Sequence, residues 1–301
     1  MFGRKRQTFS RTAVVEAPVG KVWDVLHDWK AMYWIVTGSV LALPVPDRPP
    51  GVGALWCSWQ RQRNGSLGAL VHEVVDYQPG RLIALSERQR QQADARLEFL
   101  LEAHGGQTQV QISLAESMYR YEWGMRGSGV TEQYLSRLAE GLEWALVDDV
   151  PGPHDVQTLV LQSDAINSRA EHEIEIEGSP EDIWRLALDE DGTLLPNPAV
   201  AKQWSVDHQG REVRVKLLRA PGGGLSCVFQ EILRPEPFRV IERGVAIECD
   251  QQLFPQQTSA VLRTTYRWDA GVMHSTVIDE SSQQWLGALK AAVEGGAPPV
   301  V

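Results

Sequence analysis

The sequence predicts an α+β protein of two tandem domains of one fold, each a curved antiparallel sheet wrapped around a long C-terminal helix. Three observations predict it. The chain has 301 residues, too long for one typical domain and suited to two of about 150. It repeats itself with a period of about 160 residues, and a period of that kind settles architecture before any motif does. Each half also runs through the same succession of period-2 and period-3.6 hydrophobic patterns.

The repeat is carried by three segments in order. Ala17–Val25 (APVGKVWDV) lies over Gly178–Leu186 (GSPEDIWRL), so that Val22 meets Ile183 and Trp23 meets Trp184. Glu73–Ile83 (EVVDYQPGRLI) lies over Glu231–Ile241 (EILRPEPFRVI) with Glu, Pro, Arg and Ile at matching places. Thr108–Leu114 then lies over Thr258–Thr264. The divisions that follow are a first domain over 1–150, a linker over 151–168 containing Pro151, Gly152 and Pro153, and a second domain over 169–301.

Each half opens with an alternating strand, Thr8–Glu16 or Ala170–Glu177; in the second, four glutamates alternate with His172, Ile174 and Ile176. A short helix follows. Ser179 is a suitable N-cap, Pro180 suits the first helical position, and Glu181 and Asp182 favour the positive helix start. In the first copy Val22, Val25, Leu26 and Trp29 make one apolar face. Several strands come next, and a longer amphipathic helix closes each half. Leu135, Leu138, Leu142 and Leu146 mark it after Thr131, and Ile278, Trp285, Leu289 and Val293 mark the second. Gly222–Gly223 and Asn64–Gly65 read as hairpin turns; no Lys-Ser/Thr follows the glycines, so a phosphate loop is the poorer reading.

Strand, short helices, about six antiparallel strands and a long helix make a helix-grip arrangement, with a cavity between sheet and helix. An alternating first strand, a small-Pro segment entering a Val/Ile-Trp helix, and Glu-…-Pro-x-Arg-(Leu/Val)-Ile together resemble the SRPBCC superfamily. That superfamily includes START-like lipid carriers, the birch-pollen-allergen proteins and bacterial polyketide cyclase/dehydrase proteins. The tandem layout is similar to that of the di-domain aromatase/cyclases. The resemblance implies a cofactor-independent cyclase/aromatase of secondary metabolism, a lyase-type enzyme that folds a reactive keto-rich chain and assists enolization and dehydration. It equally admits a non-enzymatic carrier of a hydrophobic small molecule, since fold does not decide function. The partners it implies are a polyketide-like ligand, a carrier protein that delivers it, and a second copy of the chain.

Composition narrows the field. Asp and Glu number 39 against 29 Lys and Arg, for a net charge of −10, which turns the chain away from nucleic-acid phosphates and anionic lipid. No apolar run approaches a membrane span, and the basic Met1–Arg6 is followed by polar residues rather than a signal core. Three scattered cysteines read as reduced thiols in a cytoplasmic protein. No dinucleotide, Walker, HExxH or GxSxG motif occurs, and the seven histidines stand singly, so neither a cofactor nor a metal is expected.

Alternation assigns strand faces. Placing Val213, Val215 and Leu217 inward sends Arg214 and Lys216 outward, and the same register in the first half puts Leu55, Cys57, Trp59 and Arg61 inward, facing Leu70, His72 and Val74. Cys57 and His72 then become cross-strand neighbours, either a thiolate–imidazole pair or two weakly polar pocket walls. Extending the parity brings Phe99 and Glu116 inward, with Tyr266 as the counterpart of Glu116. The expected catalytic groups are Arg61, His72 and Glu116 in the first domain and Tyr266 and His172 in the second. The expected substrate contacts are Trp34, Cys57, Trp59, Phe99, Arg219 and Gln230. Residues 8–150 hold 14 of the aromatic residues against 8 in the second domain, so the main pocket is expected in the first, with Trp59 as a face and Arg61 as a donor to an enolate oxygen. Tyr119, Tyr121 and Trp123, spaced by two on the outward parity, would cover either a ligand or another surface.

Overall fold

The structure is a computed structural model; it describes residues 5–28, 39–61, 67–87, 95–118, 120–146, 167–188, 200–208, 210–219, 224–244, 247–270 and 275–295. These form two compact units, each with its own seven-stranded sheet.

In the first unit β1 (Lys5–Val15) leads to helix α1 (Val19–His27). Strands β2 (Ser39–Pro44), β3 (Leu55–Arg61), β4 (Leu67–Gln78), β5 (Leu82–Glu87), β6 (Arg96–His104) and β7 (Gln107–Met118) follow, and α2 (Arg120–Ala145) closes the unit. The second unit repeats the series. It runs β8 (Ser168–Glu177), α3 (Pro180–Leu188), β9 (Val200–His208), β10 (Arg211–Arg219), β11 (Leu225–Glu236), β12 (Arg239–Arg243), β13 (Ile247–Pro255), β14 (Ser259–Trp268) and α4 (Ser275–Val293). The strand orders, β1-β7-β6-β5-β4-β3-β2 and β8-β14-β13-β12-β11-β10-β9, are the same topology twice. This is the tandem helix-grip fold. Of the segment expected as linker, 151–166 lies outside the described residues, and Ser168 already opens β8.

Local chemistry accounts for the elements. Ser179 Oγ accepts from the Asp182 N–H at 3.1 Å and donates to Asp182 Oδ2 at 2.9 Å, capping α3. Val22 and Leu26 on α1, and Ile183 and Ala187 on α3, are the buried stripes. At the β4–β5 and β11–β12 turns the repeat extends to the backbone: Gly80 (φ 74°) and Phe238 (φ 58°) occupy the same left-handed position. Phe238 carries the strain of that conformation and packs edge-on against Trp184, ring centroids 6.1 Å apart.

The grip cores are apolar. In the first unit Trp56, Val74, Ile83, Leu85, Phe99 and Ile112 of the sheet pack with Leu135, Leu138 and Leu142 of α2. In the second, Ile176, Leu253, Ala260 and Leu262 pack with Leu286 and Leu289 of α4. A fully buried leucine such as Leu289 contributes roughly 1.5–3 kcal/mol relative to exposure.

Helix α2 begins at Arg120, eleven residues before Thr131, so Tyr121 and Trp123 are helical rather than strand residues. Gly124, Gly127 and Gly129 lower the helix propensity of that stretch, which hides it from a pattern reading. Tyr119 and the side chains of Tyr121 and Trp123 lie outside the described residues. No helix among the described residues is long and apolar enough to cross a membrane.

Candidate functional site

The β3–β4 ladder corrects the register expected for the first unit. Trp56, not Cys57, lies opposite His72, while Cys57 pairs with Val71 and Trp59 with Ala69. The ladder pairs Arg61 with Leu67, one residue off the expected register, and one residue of difference reverses every side chain; the turn expected at Asn64–Gly65 lies outside the described residues. Trp56 therefore joins the grip core, and Leu55, Cys57 and Trp59 sit on the other face of the sheet. The thiolate–imidazole pair is not formed.

In the first interior, His72 Nε2 lies 3.1 Å from Ser58 Oγ, and the imidazole stacks on Trp56 at 4.4 Å. Complete burial holds its pKa down at about 4, so the ring is neutral. Beside it is a cavity of about 20 Å³, bounded by Leu85, Ala95, Leu97, Leu114 and Tyr134, room for one water rather than a substrate. Phe99 faces this core as expected, and Glu116 follows Leu114 on the same side of β7, opposite Gln7. Arg11 of β1 is exposed. A wider open cleft of about 480 Å³ lies between the end of α1 and segment 44–55, lined by Asp24, His27, Asp28 and Arg48 over Val45 and Leu55. It contains none of the residues expected at the site. The side chain of Arg61 and all of Trp34 lie outside the described residues.

The second interior is polar. Glu242 of β12 accepts from Arg214 Nη1, from Lys216 Nζ at 3.0 Å and from Gln230 Nε2 at 3.1 Å. Arg214 and Lys216 thus point inward, and Val213, Val215 and Leu217, expected inside, are buried on the opposite face. Glu242 lies opposite Cys249, and Cys249 opposite Tyr266. The Tyr266 ring meets His172 edge-on at 6.3 Å, and His172 Nε2 is 3.2 Å from Asp279 Oδ1 on α4. Ser282 of α4 sits beside Tyr266. Polar side chains therefore cross six of the seven strands in one row: His172, Tyr266, Cys249, Glu242, Gln230, and Arg214 with Lys216.

Electrostatics sort these groups. Burial alone would raise the Glu242 pKa, but the charges of Lys216 and Arg214, with hydrogen bonds from Lys216 and Gln230, bring it below its ordinary value. Burial pushes the Cys249 thiol and the Tyr266 hydroxyl well up, each reinforced by a neighbour, Glu242 for the thiol and Cys249 for the phenol. Both stay protonated near neutrality. Arg214 Nε and Nη2, Gln230 Oε1 and Thr264 Oγ1 are closed off from solvent and have no hydrogen-bond partner, an unusual density of unsatisfied groups.

Of the residues expected in the second domain, His172, Gln230 and Tyr266 are thus brought to one face. Arg219 is not: it is exposed at the end of β10 and donates to the Val200 carbonyl at 3.0 Å. Arg214, Lys216, Glu242, Cys249 and Asp279 were not anticipated. Their signal was the pair of cations at i and i+2 on β10 with Glu242 two strands away, a pattern that also describes a solvated face.

No family model matches the chain, and no curated protein matches it. Among solved structures it is similar to the di-domain ARO/CYC StfQ from the steffimycin biosynthetic pathway, at 13% identity over 95% of this chain and 98% of that one, with a TM-score of 0.37. It is similar to the di-domain ARO/CYC BexL from the BE-7585A biosynthetic pathway, at 14% identity over 97% and 100%, TM-score 0.37. Half of it is similar to the Zhui aromatase/cyclase from Streptomyces sp. R1128, at 15% identity over 50% and 100%, TM-score 0.41.

Proposed function

We propose that the chain is a cofactor-independent cyclase/aromatase for a keto-rich, polyketide-like chain, with the second grip interior as its chamber. The observation that carries this reading is the polar row across six strands, with donors and acceptors unpaired inside an otherwise apolar grip. Six strands at about 4.8 Å spacing span about 24 Å along the curved sheet, which suits an extended ligand bearing oxygens at intervals.

The Tyr266 hydroxyl, held protonated beside His172, would donate to an oxygen on which enolate charge develops, where fixed donors in a dry interior act most strongly. His172 would take the α-proton, and the Asp279 carboxylate, 3.2 Å from Nε2 and not hydrogen-bonded to the resting ring, would stabilise the imidazolium. The enolate carbon then attacks a carbonyl carbon of the same chain, and the new alkoxide takes the proton back from the His172 imidazolium. In the elimination His172 takes a second α-proton while the hydroxyl leaves as water with a proton from Tyr266, which His172 then returns to the Tyr266 oxygen. The sequence of steps is redox-neutral and needs no co-reactant. The sequence resemblance to SRPBCC proteins supports the same chemistry.

One observation favours a carrier instead: Glu242 is held ionised and Cys249 and Tyr266 are held protonated, as befits binding groups. Incubating the full chain with a reactive polyketone and analysing the products separates the two. A cyclised, dehydrated product that His172→Asn abolishes supports the enzyme; spontaneous products alone, with the ligand bound, support the carrier.

A further inference from the structure

We infer that the second grip interior seats a carboxylate on the free edge of Arg214. This uses the chamber of the reading above and narrows its ligand to a keto acid. Arg214 is 2% exposed. It and Lys216 share the single carboxylate of Glu242, whose two oxygens already accept from Arg214, Lys216 and Gln230. Among the described residues one positive charge is therefore left without a second carboxylate; Lys216 is 24% exposed and meets water, but Arg214 is buried, where an uncompensated charge is costly unless an anion completes it.

The free atoms also have the right shape. Nε and Nη2 are the two nitrogens whose N–H groups lie side by side along one edge of a guanidinium, and in Arg214 neither has a partner. Elsewhere in the chain that same edge grips a carboxylate with both bonds: Arg239 donates from Nε to Asp250 Oδ1 at 3.1 Å and from Nη2 to Asp250 Oδ2 at 2.8 Å. Arg96 likewise turns Nε and Nη2 to Glu98. Arg214 differs in meeting no acid on that edge among the described residues. Gln230 Oε1, also unpaired, remains to accept from an enol hydroxyl elsewhere on the same ligand.

The test is calorimetric titration of the full chain at pH 7 with 2-naphthoate and with 2-acetonaphthone, which has the same ring system and no charge. The acid should bind at least about tenfold more tightly. Arg214→Lys, which keeps the charge and loses the two-pronged edge, should erase that preference; the comparison on the unaltered chain stands even where this variant folds poorly. Equal affinity for acid and ketone, or a preference that survives Arg214→Lys, overturns the carboxylate site and leaves the cyclase reading standing. Binding of the acid through Arg214 with no change in polyketone products overturns the cyclase reading and leaves the carboxylate site standing.

Discussion

The indole of Trp56 stacks on the imidazole of His72 at 4.4 Å and 27° because the two residues are direct partners across β3 and β4. The stack places a neutral histidine inside the first grip, bonded to Ser58 and shielded from water.

That shielding makes stability depend on pH in a stated direction. Burial lowers the folded-state pKa of His72 to about 4 from the ordinary 6.5, so below pH 6.5 the unfolded chain binds the proton more readily than the folded one. The contribution of the neutral ring is complete above pH 6.5 and is lost as pH falls from 6.5 towards 4, by on the order of 3 kcal/mol. Urea unfolding of the wild type and of His72→Phe between pH 7 and 4 should show a steeper loss in the wild type. Parallel curves would remove His72 as the cause.

The architecture was legible in the sequence because the repeat compares the chain with itself: Trp23 over Trp184 and Arg81 over Arg239 needed no outside reference. The strand faces in β3 and β10 were not. Trp56 and Ser58 are buried on one side of β3, and Cys57 and Trp59 on the other, so alternation carries no signal there. In β10 the valines marked the buried face correctly but the wrong side of the sheet, since Arg214 is buried too. A pairing network that spans three strands cannot be read from one strand's alternation.

Gly80 provides a test of the repeat at the level of backbone. Its φ of 74° favours glycine, and a methyl group there would meet no atom within 4 Å. Gly80→Ala should therefore cost about 1 kcal/mol through backbone strain alone, measured as a shift in urea midpoint at unchanged slope. Phe238, its counterpart, bears the same strain but packs on Trp184. Phe238→Gly should thus relieve strain and lose packing together, and a clear gain in stability from it would show that the ring contact contributes little.

Glu242 is the common acceptor of Arg214, Lys216 and Gln230. Glu242→Gln would leave two cations facing each other in the interior, at a cost of about 3–5 kcal/mol. Replacing all three charged residues by apolar ones of similar size (Arg214→Met, Lys216→Met, Glu242→Leu) should recover most of that loss, because no charge then remains to desolvate. Thermal and urea unfolding of the two variants decides it. A triple variant as unstable as Glu242→Gln would mean that the network is required for folding and not only compatible with it.

The last prediction concerns which interior performs chemistry. The aromatic count and the open cleft of about 480 Å³ favour the first unit, whereas the second unit holds the unpaired donors. His172 and Tyr266 are the proton-handling groups of that row, and Asp279 acts on His172. If the second interior is the chamber, His172→Asn should lower kcat at least about a hundredfold, the scale of a lost general base. Tyr266→Phe, which keeps the ring against His172 and removes only the hydroxyl, should lower it about tenfold, or roughly 1.4 kcal/mol in the barrier. Asp279→Asn should lower kcat with KM little changed and alter the acidic limb of the pH–rate profile, a response that a purely structural contact would not produce. Arg61→Ala and His72→Phe in the first unit should leave kcat within about twofold. The reverse pattern, a large loss from Arg61→Ala and little from His172→Asn, would move the active site to the first unit and leave the second as a binding or structural domain.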